Sequence, residues 1–215
     1  MDKVKSLLRE AGAGFSQCFY TMFHPVNGFD QVKWEKKGNV LTCVCILLAF
    51  FLTNVFEQVL TGFIFNTYNP DRISVPSILL ITMGGFAIAY VANWAAGSLQ
   101  FSEGEARDIL IVLCYTLVPY TIFALAHIFF TNFANAELNA FLVALRVVGY
   151  LWSGMILVFG MYYVHQFSFG GLVLNLFLTV VGIAIILFLL LLGYSLVQQM
   201  STFVVTIYNE IAFRL

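Results

Sequence analysis

Five long apolar runs fill most of this 215-residue chain, and no charged residue lies near the middle of any of them. The hydrocarbon core of a bilayer is about 30 Å thick, and an α-helix crosses it in about 20 residues. Each run is long enough, or nearly so, to do this. We therefore predict an all-α, polytopic integral membrane protein with five transmembrane helices. The runs are Val40–Phe56, Ile78–Gly97, Ile109–Phe130, Phe141–Tyr163 and Leu172–Val197.

The composition agrees with a membrane protein, because 61% of the residues are hydrophobic and only 10% are charged. Soluble domains carry about 25% charged residues. We predict a cytosolic N-terminal segment (1–39) with an amphipathic helix and a basic juxtamembrane part, a five-span domain (40–200) and a short tail (201–215). The tail could be an interfacial helix. No basic stripe exceeds Lys33–Lys37, so no nucleic-acid partner is expected.

The residues offer no recognisable catalytic machinery. No charge lies at mid-membrane depth, where ion-coupled transporters usually keep one. No glycine-rich phosphate loop is present, and His24, His127 and His165 fall near different membrane boundaries, so their spacing predicts no metal site. We expect a protein that is not an enzyme and has no cofactor.

An amphipathic helix is predicted before the first span, because apolar residues recur at spacings of three and four. Pro25 should end it, and Asn27-Gly28 indicates a turn after it. The helix lies in the headgroup layer, which we favour, or docks against the protein's own spans or another subunit. The apolar face contains Val4, Leu7, Leu8, Ala11, Phe15, Cys18, Phe19 and Met22.

The distribution of Lys and Arg predicts the orientation. Seven lie before the first span or between the second and third spans, and three lie on the opposite side: Arg72, Arg146 and Arg214. The positive-inside rule then places the N-terminus in the cytoplasm and the C-terminus outside.

Two charged segments flank membrane entry points on the cytosolic side. A basic collar with an interfacial Trp precedes the first span; it sets the topology or forms a specific lipid or protein site. The Ser102-Glu-Gly-Glu105 pattern predicts a capping box, and Glu103 is four residues before Arg107. We predict that both segments form a cytosolic contact surface. Its candidate residues are Lys33, Trp34, Lys36, Lys37, Glu103, Glu105, Arg107 and Asp108.

Within the spans, Pro119 should kink the third helix, with neighbouring helices covering the freed backbone groups. Small residues such as Ala92, Ala96, Gly149 and Ser153 indicate close helix packing. The cysteines Cys18, Cys43, Cys45 and Cys114 imply no disulfide framework. The last three are expected to be packing residues, whereas Cys18 could also be S-acylated.

Polar residues near the span ends allow two clusters. Glu57 and Gln58 could join His127 and Arg146 at the outer ends, and Asn93, Asn175 and His165 could meet at the inner ends. The alternative is that each side chain reaches the headgroups separately.

Two stretches around the five spans resemble the Yip domain family of Ypt/Rab-interacting membrane proteins, especially its bacterial members. They are His24-Pro-Val-Asn-Gly-Phe29 leading to Lys33-Trp-Glu-Lys-Lys-Gly-Asn39, and Glu103-Gly-Glu-Ala-Arg-Asp-Ile109 followed by Tyr115-Thr-Leu-Val-Pro-Tyr120. The resemblance extends from about His24 to Val197. It implies a five-span helical fold, a cytosolic N-terminus and no catalytic residue. The motif positions are His24, Pro25, Gly28, Phe29, Gly38, Tyr115 and Tyr120.

Eukaryotic members of that family carry a longer cytosolic N-terminal region with an Asp-Leu-Tyr-Gly-Pro-like motif, where this chain has Phe23-His-Pro-Val-Asn-Gly-Phe29. We therefore expect a bacterial cytoplasmic-membrane protein and no small-GTPase binding. Its partners should be the bilayer and other integral membrane proteins or further copies of itself. Three functions stay open: a non-catalytic adaptor or accessory subunit of a membrane complex, a small uncoupled transporter or channel for a neutral solute or lipid, and a membrane-shaping or trafficking factor.

Overall fold

The computed structural model describes residues 2–68 and 73–214, and of residues 2–11, 211, 212 and 214 it describes the backbone alone. The predicted apolar face from Val4 to Ala11, the charge of Arg72, and the side chains of Ile211, Arg214 and Leu215 therefore lie outside what is described. The described chain is helical and contains no strand. Its helices are α1 (Asp2–Phe23), α2 (Pro25–Trp34), α3 (Val40–Leu60), α4 (Val75–Leu99), α5 (Ala106–Thr131), α6 (Asn139–His165) and α7 (Phe169–Arg214).

Five of these helices, α3 to α7, are long and apolar enough to cross a membrane. Each contains one of the predicted runs, so the five-span prediction is confirmed. Asn39 begins α3 as its N-cap, with its side chain accepting a hydrogen bond of 2.9 Å from the backbone N–H of Leu41. The predicted boundary at residue 39 thus coincides with the start of a helix.

The bundle is built around α5, which packs mainly against α6 and α3, while α7 packs mainly against α4. The residues 100–105 join α4 to α5 closely, but the two helices share only a short contact. Small residues allow the second pairing, because a Cβ at Gly182 of α7 would lie 3.3 Å from Cβ of Ala92. Ala92 and Ala96 are both buried, which confirms their predicted packing role.

The helices α1 and α2 form a hairpin whose corner is His24-Pro25. The proline occupies the first turn of α2, where its missing N–H leaves no helical bond unmade. Pro25 therefore ends α1 as predicted, but the turn predicted at Asn27-Gly28 is wrong, because both residues lie inside α2. Gly28 instead permits close approach, since a Cβ there would lie 2.7 Å from Cα of Thr21 in α1.

This hairpin docks against the spans. The indole N–H of Trp152 donates to the carbonyl of Met22 (3.2 Å), and the rings of Phe23 and Trp152 lie 5.8 Å apart. Trp152 is midway along α6, about 20 Å from either end at 1.5 Å per residue. Cys18 and Phe29 are buried in the core. Of the two locations left open for the first helix, the described part shows docking against the protein's own spans, and its depth relative to the lipid headgroups stays a prediction.

The last helix, α7, runs for 46 residues without interruption, which corresponds to about 69 Å. A hydrocarbon core of about 30 Å accounts for less than half of that length. From Leu187 to Glu210 every described residue except Gly193 is exposed. The tail is therefore an extension of the fifth span, and the separate interfacial helix considered for it is not what the backbone shows.

Candidate functional site

The charged residues of the predicted contact surface lie together at one end of the bundle, which we call the inner end because the predicted orientation places it in the cytoplasm. We call this set of residues the inner latch: Lys33, Lys36, Glu105, Arg107 and Asp108. Lys36 Nζ lies 2.9 Å from both Glu105 Oε1 and the buried Asp108 Oδ2. The latch joins the segment before α3 to the start of α5, which confirms that the two charged segments lie on the same side.

The cationic side chains of the latch also hold backbone carbonyls. Lys33 Nζ donates to the carbonyl of Glu103, and Arg107 donates to the carbonyls of Lys36 (3.3 Å) and Gly38. Trp34 is 62% exposed beside them, as expected of a headgroup-level residue. The contact surface itself stays a prediction, and most of its charge is used within the protein.

The capping box predicted at the start of α5 is wrong. The helix begins at Ala106, and its N-cap Glu105 makes no side-chain cap. Ser102 turns away to bond with His165, with 2.9 Å between Oγ and Nδ1. Arg107, the predicted partner of Glu103, is held by the carbonyls named above.

Electrostatics support the latch at Glu105. The hydrogen bond from Lys36, together with its positive charge, lowers the pKa of the Glu105 carboxyl below its ordinary value of 4.5. Glu105 therefore stays ionised and paired well below neutral pH.

A buried polar network lies between α4, α6 and α7 at the same end. Asn93 is its centre: its amide N–H₂ donates to Asn175 Oδ1 and Thr179 Oγ1 (both 3.0 Å), and its oxygen lies 3.1 Å from His165 Nε2. The predicted meeting of Asn93, Asn175 and His165 is thus confirmed. Sequence reasoning missed Ser102 and Thr179, whose contribution depends on how the helices pair.

Glycines make room for the imidazole of this network. A Cβ at Gly97 would lie 2.7 Å from Cε1 of His165, and one at Gly104 would lie 2.7 Å from its Nδ1. The network fastens α7 to the bundle, since a buried polar group without a partner is costly in lipid.

A second cluster lies at the opposite, outer end. Arg146 donates to Glu57 Oε1 (2.6 Å), and its Nη2 lies 3.1 Å from Nδ1 of His127. A cavity of about 280 Å³ opens beside it. The predicted outer cluster is confirmed for these three residues, whereas Gln58 contributes only its backbone carbonyl, to Asn66.

Helix α5 continues through Pro119, and the neighbouring helix α6 covers the backbone beside the proline, as predicted. The backbone N–H of Tyr120 donates to Ser153 Oγ of α6 at 3.0 Å. Ser153 is therefore more than a small packing residue, because its hydroxyl satisfies a backbone group next to the proline.

The residues of the family motifs make contacts that hold the helices together. His24 stacks on Tyr20 with ring centroids 4.9 Å apart, and Tyr120 lies 5.4 Å from Tyr150. Tyr115 is buried and donates its hydroxyl proton to the carbonyl of Gly14 (3.3 Å). A Cβ at Gly38 would lie 2.6 Å from Cδ1 of Ile111, so this glycine allows the collar to pass close to α5.

The described cysteines are free, and three of them, Cys18, Cys43 and Cys114, belong to the buried core. With 2% of its surface exposed, Cys18 is not accessible to an acylating enzyme in this conformation. Among the described residues no group of three or more His, Cys, Asp or Glu could hold a metal ion.

Comparison of the sequence with profiles of known protein families shows to which family the chain belongs. The sequence profile of the Yip1 domain matches residues 19–192, which is most of the chain. The chain belongs to the Yip1 domain family. The comparisons with curated proteins and with solved structures yielded no match.

The Yip1 domain of this chain begins within the docked half of α1 and ends within α7. It therefore includes the hairpin corner, the inner latch and the buried network. The final part of α7, beyond residue 192, lies outside the matched region.

Proposed function

We propose that this Yip1 domain protein is a non-catalytic integral membrane adaptor, an accessory subunit that binds another integral membrane protein of the same complex. The observation that carries the proposal is the α7 extension, residues 198–214. It continues α7 past the predicted fifth span, and every described apolar side chain in it is exposed.

The α7 extension is amphipathic. Met200, Phe203 and Ile207 follow helical spacing along one side, and all three are exposed. Gln198, Thr202, Thr206 and Asn209 lie on the opposite side. A stripe of this kind is typical of a helix that buries one face against a partner.

The direction of the helix favours a protein as that partner. α7 starts at the inner end, beside the Asn93 network, so its extension leaves the bilayer at the outer end. A straight helix carries its apolar stripe away from the hydrocarbon and into water. Each 100 Å² of apolar surface left there costs about 2.5 kcal/mol, which a partner helix outside the membrane would recover.

The inner contact surface is a second part of this proposal. Because the latch engages Lys33, Lys36 and Arg107, the side chains left for a cytosolic partner are chiefly Trp34 and the exposed Glu103. The proposal places the N-terminus in the cytoplasm and the α7 extension outside, in a bacterial cytoplasmic membrane. It assigns no small GTPase as partner.

Site-specific cross-linking in intact cells tests the α7 extension. A photoreactive phenylalanine analogue replaces Ile207 in one variant and Asn209 in the other, which are about 200° apart around the helix. We expect Ile207 to yield one discrete cross-linked protein larger than the 24.1 kDa chain alone, and Asn209 to yield little. Substituting Phe203→Gln should abolish that product.

Mass spectrometry of the product decides between partners. A different integral membrane protein supports the adaptor function. A second copy of this chain would show a homo-oligomer, and cross-links only to lipid, or equal products from both faces, would contradict the docking role of the extension.

A further inference from the structure

A cavity of about 490 Å³ opens at the inner end of the bundle, between α1, the segment before α3, and α5. Gly14 and Gln17 form its α1 wall, Lys37 and Asn39 its second wall, and Arg107 its third. We call it the collar cavity. The outer cluster lies at the other end of the spans and is not part of it.

Among the described residues that line the collar cavity, two are cationic and none is a carboxylate. Arg107 uses Nη2 to bind two carbonyls, and it forms no ion pair with a described side chain. Lys37 is half-exposed, and its partner among the described side chains is Glu35, at 2.6 Å between Nζ and Oε2. The N-terminus of α3, which begins after Asn39, adds a positive partial charge.

The depth of the cavity matches that of lipid phosphates. Asn39 is the N-cap of one span and Arg107 is the second residue of another, so both lie where helices enter the membrane. Trp34, an interfacial residue by type and exposure, is in the same segment. Farther along α1, Phe15 and Phe19 line an apolar cavity of about 130 Å³ together with residues of α3 and α5.

We propose that the collar cavity binds the phosphate of an anionic phospholipid headgroup through Lys37 and Arg107. A free phosphate ion offers the same oxygens, but a lipid reaches this depth with its chains against the neighbouring apolar surface. The arrangement distinguishes among the collar lysines: Lys33 and Lys36 are engaged in the latch, whereas Lys37 faces the cavity and has only an exposed acidic partner.

Native mass spectrometry of the purified full-length protein tests the site, with phosphatidylglycerol and phosphatidylcholine as probes. We expect preferential retention of phosphatidylglycerol. Lys37→Gln should weaken its binding by about tenfold, the range of one charged hydrogen bond. Glu35→Gln removes the competing carboxylate and should tighten binding by about two- to threefold. Gln199→Ala, at the far end of the molecule, should change nothing.

Arg107→Gln should weaken binding at least as much, but it also removes bonds to the backbone. The Lys37 and Glu35 variants therefore decide whether the collar cavity binds the lipid phosphate, because neither side chain supports the fold of the bundle. Opposite shifts in these two variants support the proposal. Equal retention of the two lipids, or unchanged binding in both variants, would overturn it, and displacement by glycerol phosphate would identify a free-phosphate site and overturn the lipid assignment.

Discussion

The position of the α1–α2 hairpin predicts that its corner lies near the centre of the bilayer. Phe23 contacts Trp152, which is about 20 Å along α6 from its inner end, and half the hydrocarbon thickness is about 15 Å. A helix tilt of about 20° shortens the first distance only slightly. A helix lying flat in the headgroup layer would instead hold all its residues at one depth.

Cysteine scanning measures this depth. Phe15, Phe19 and Phe23 are each replaced singly by cysteine in a chain whose four native cysteines are changed to alanine. All three positions are exposed on the protein, so a label there does not disturb the core. Each step of four residues along α1 advances about 6 Å, and depth-dependent quenching by nitroxide lipids should show Phe23 deepest and Phe15 shallowest.

Accessibility provides the matching control. In inverted membrane vesicles, which expose the cytoplasmic face, a membrane-impermeant maleimide should react with cysteine at Trp34, which is 62% exposed. It should not react with cysteine at Phe23, although that side chain is 61% exposed. Equal quenching depths at the three phenylalanine positions, or rapid labelling at Phe23, would refute the docked hairpin.

Three further predictions concern single contacts. Gly28→Ala should lower the free energy of unfolding by about 1–3 kcal/mol, because the added Cβ would meet Cα of Thr21. Gly12→Ala, which has open space around it, should be neutral or should raise the free energy of unfolding by up to about 1 kcal/mol. Thermal unfolding in detergent compares the two variants. Asn93→Leu should destabilise by about 1–2 kcal/mol in the same assay, since it removes the partner of His165 and Asn175, and an unchanged melting temperature would contradict a structural role for the network. Because the folded-state pKa of Glu105 is lowered, its contribution to the latch is complete above pH about 4.5 and is lost as the pH falls through that lowered pKa. Amide hydrogen exchange of residues 35–39, corrected for intrinsic rates, should accelerate over this range. The Glu105→Gln variant should not show this acceleration.

The spacing of apolar residues and prolines along the chain was sufficient to predict the five spans and several local features of the helices. A continuous apolar run has few alternatives to a transmembrane helix, because lipid offers the backbone no hydrogen-bond partners. Pro25 ends α1 for an equally local reason. The requirement that Pro119 be covered could also be stated from sequence, although the residue that covers it, Ser153, could not be singled out.

The candidate site was only partly predictable. The inner network and the outer cluster were identified as possible groupings from the span ends at which their residues fall. The inner latch was not identified as a latch, since opposite charges in separate segments can bind a partner or each other. Only the approach of α5 to the segment before α3 shows that Lys36 pairs with Asp108.

The sequence by itself determined that this protein crosses a membrane with five helices, because hydrophobic length acts locally and independently of the rest of the chain. The tertiary structure alone decided where the N-terminal hairpin lies. Its stripe of apolar residues can pack against either lipid or protein, and the choice depends on Trp152, which is 130 residues away from the Met22 carbonyl that it binds. It also decided that Ser102 binds His165 instead of capping α5, since a hydroxyl bonds to whichever partner the packing brings within reach.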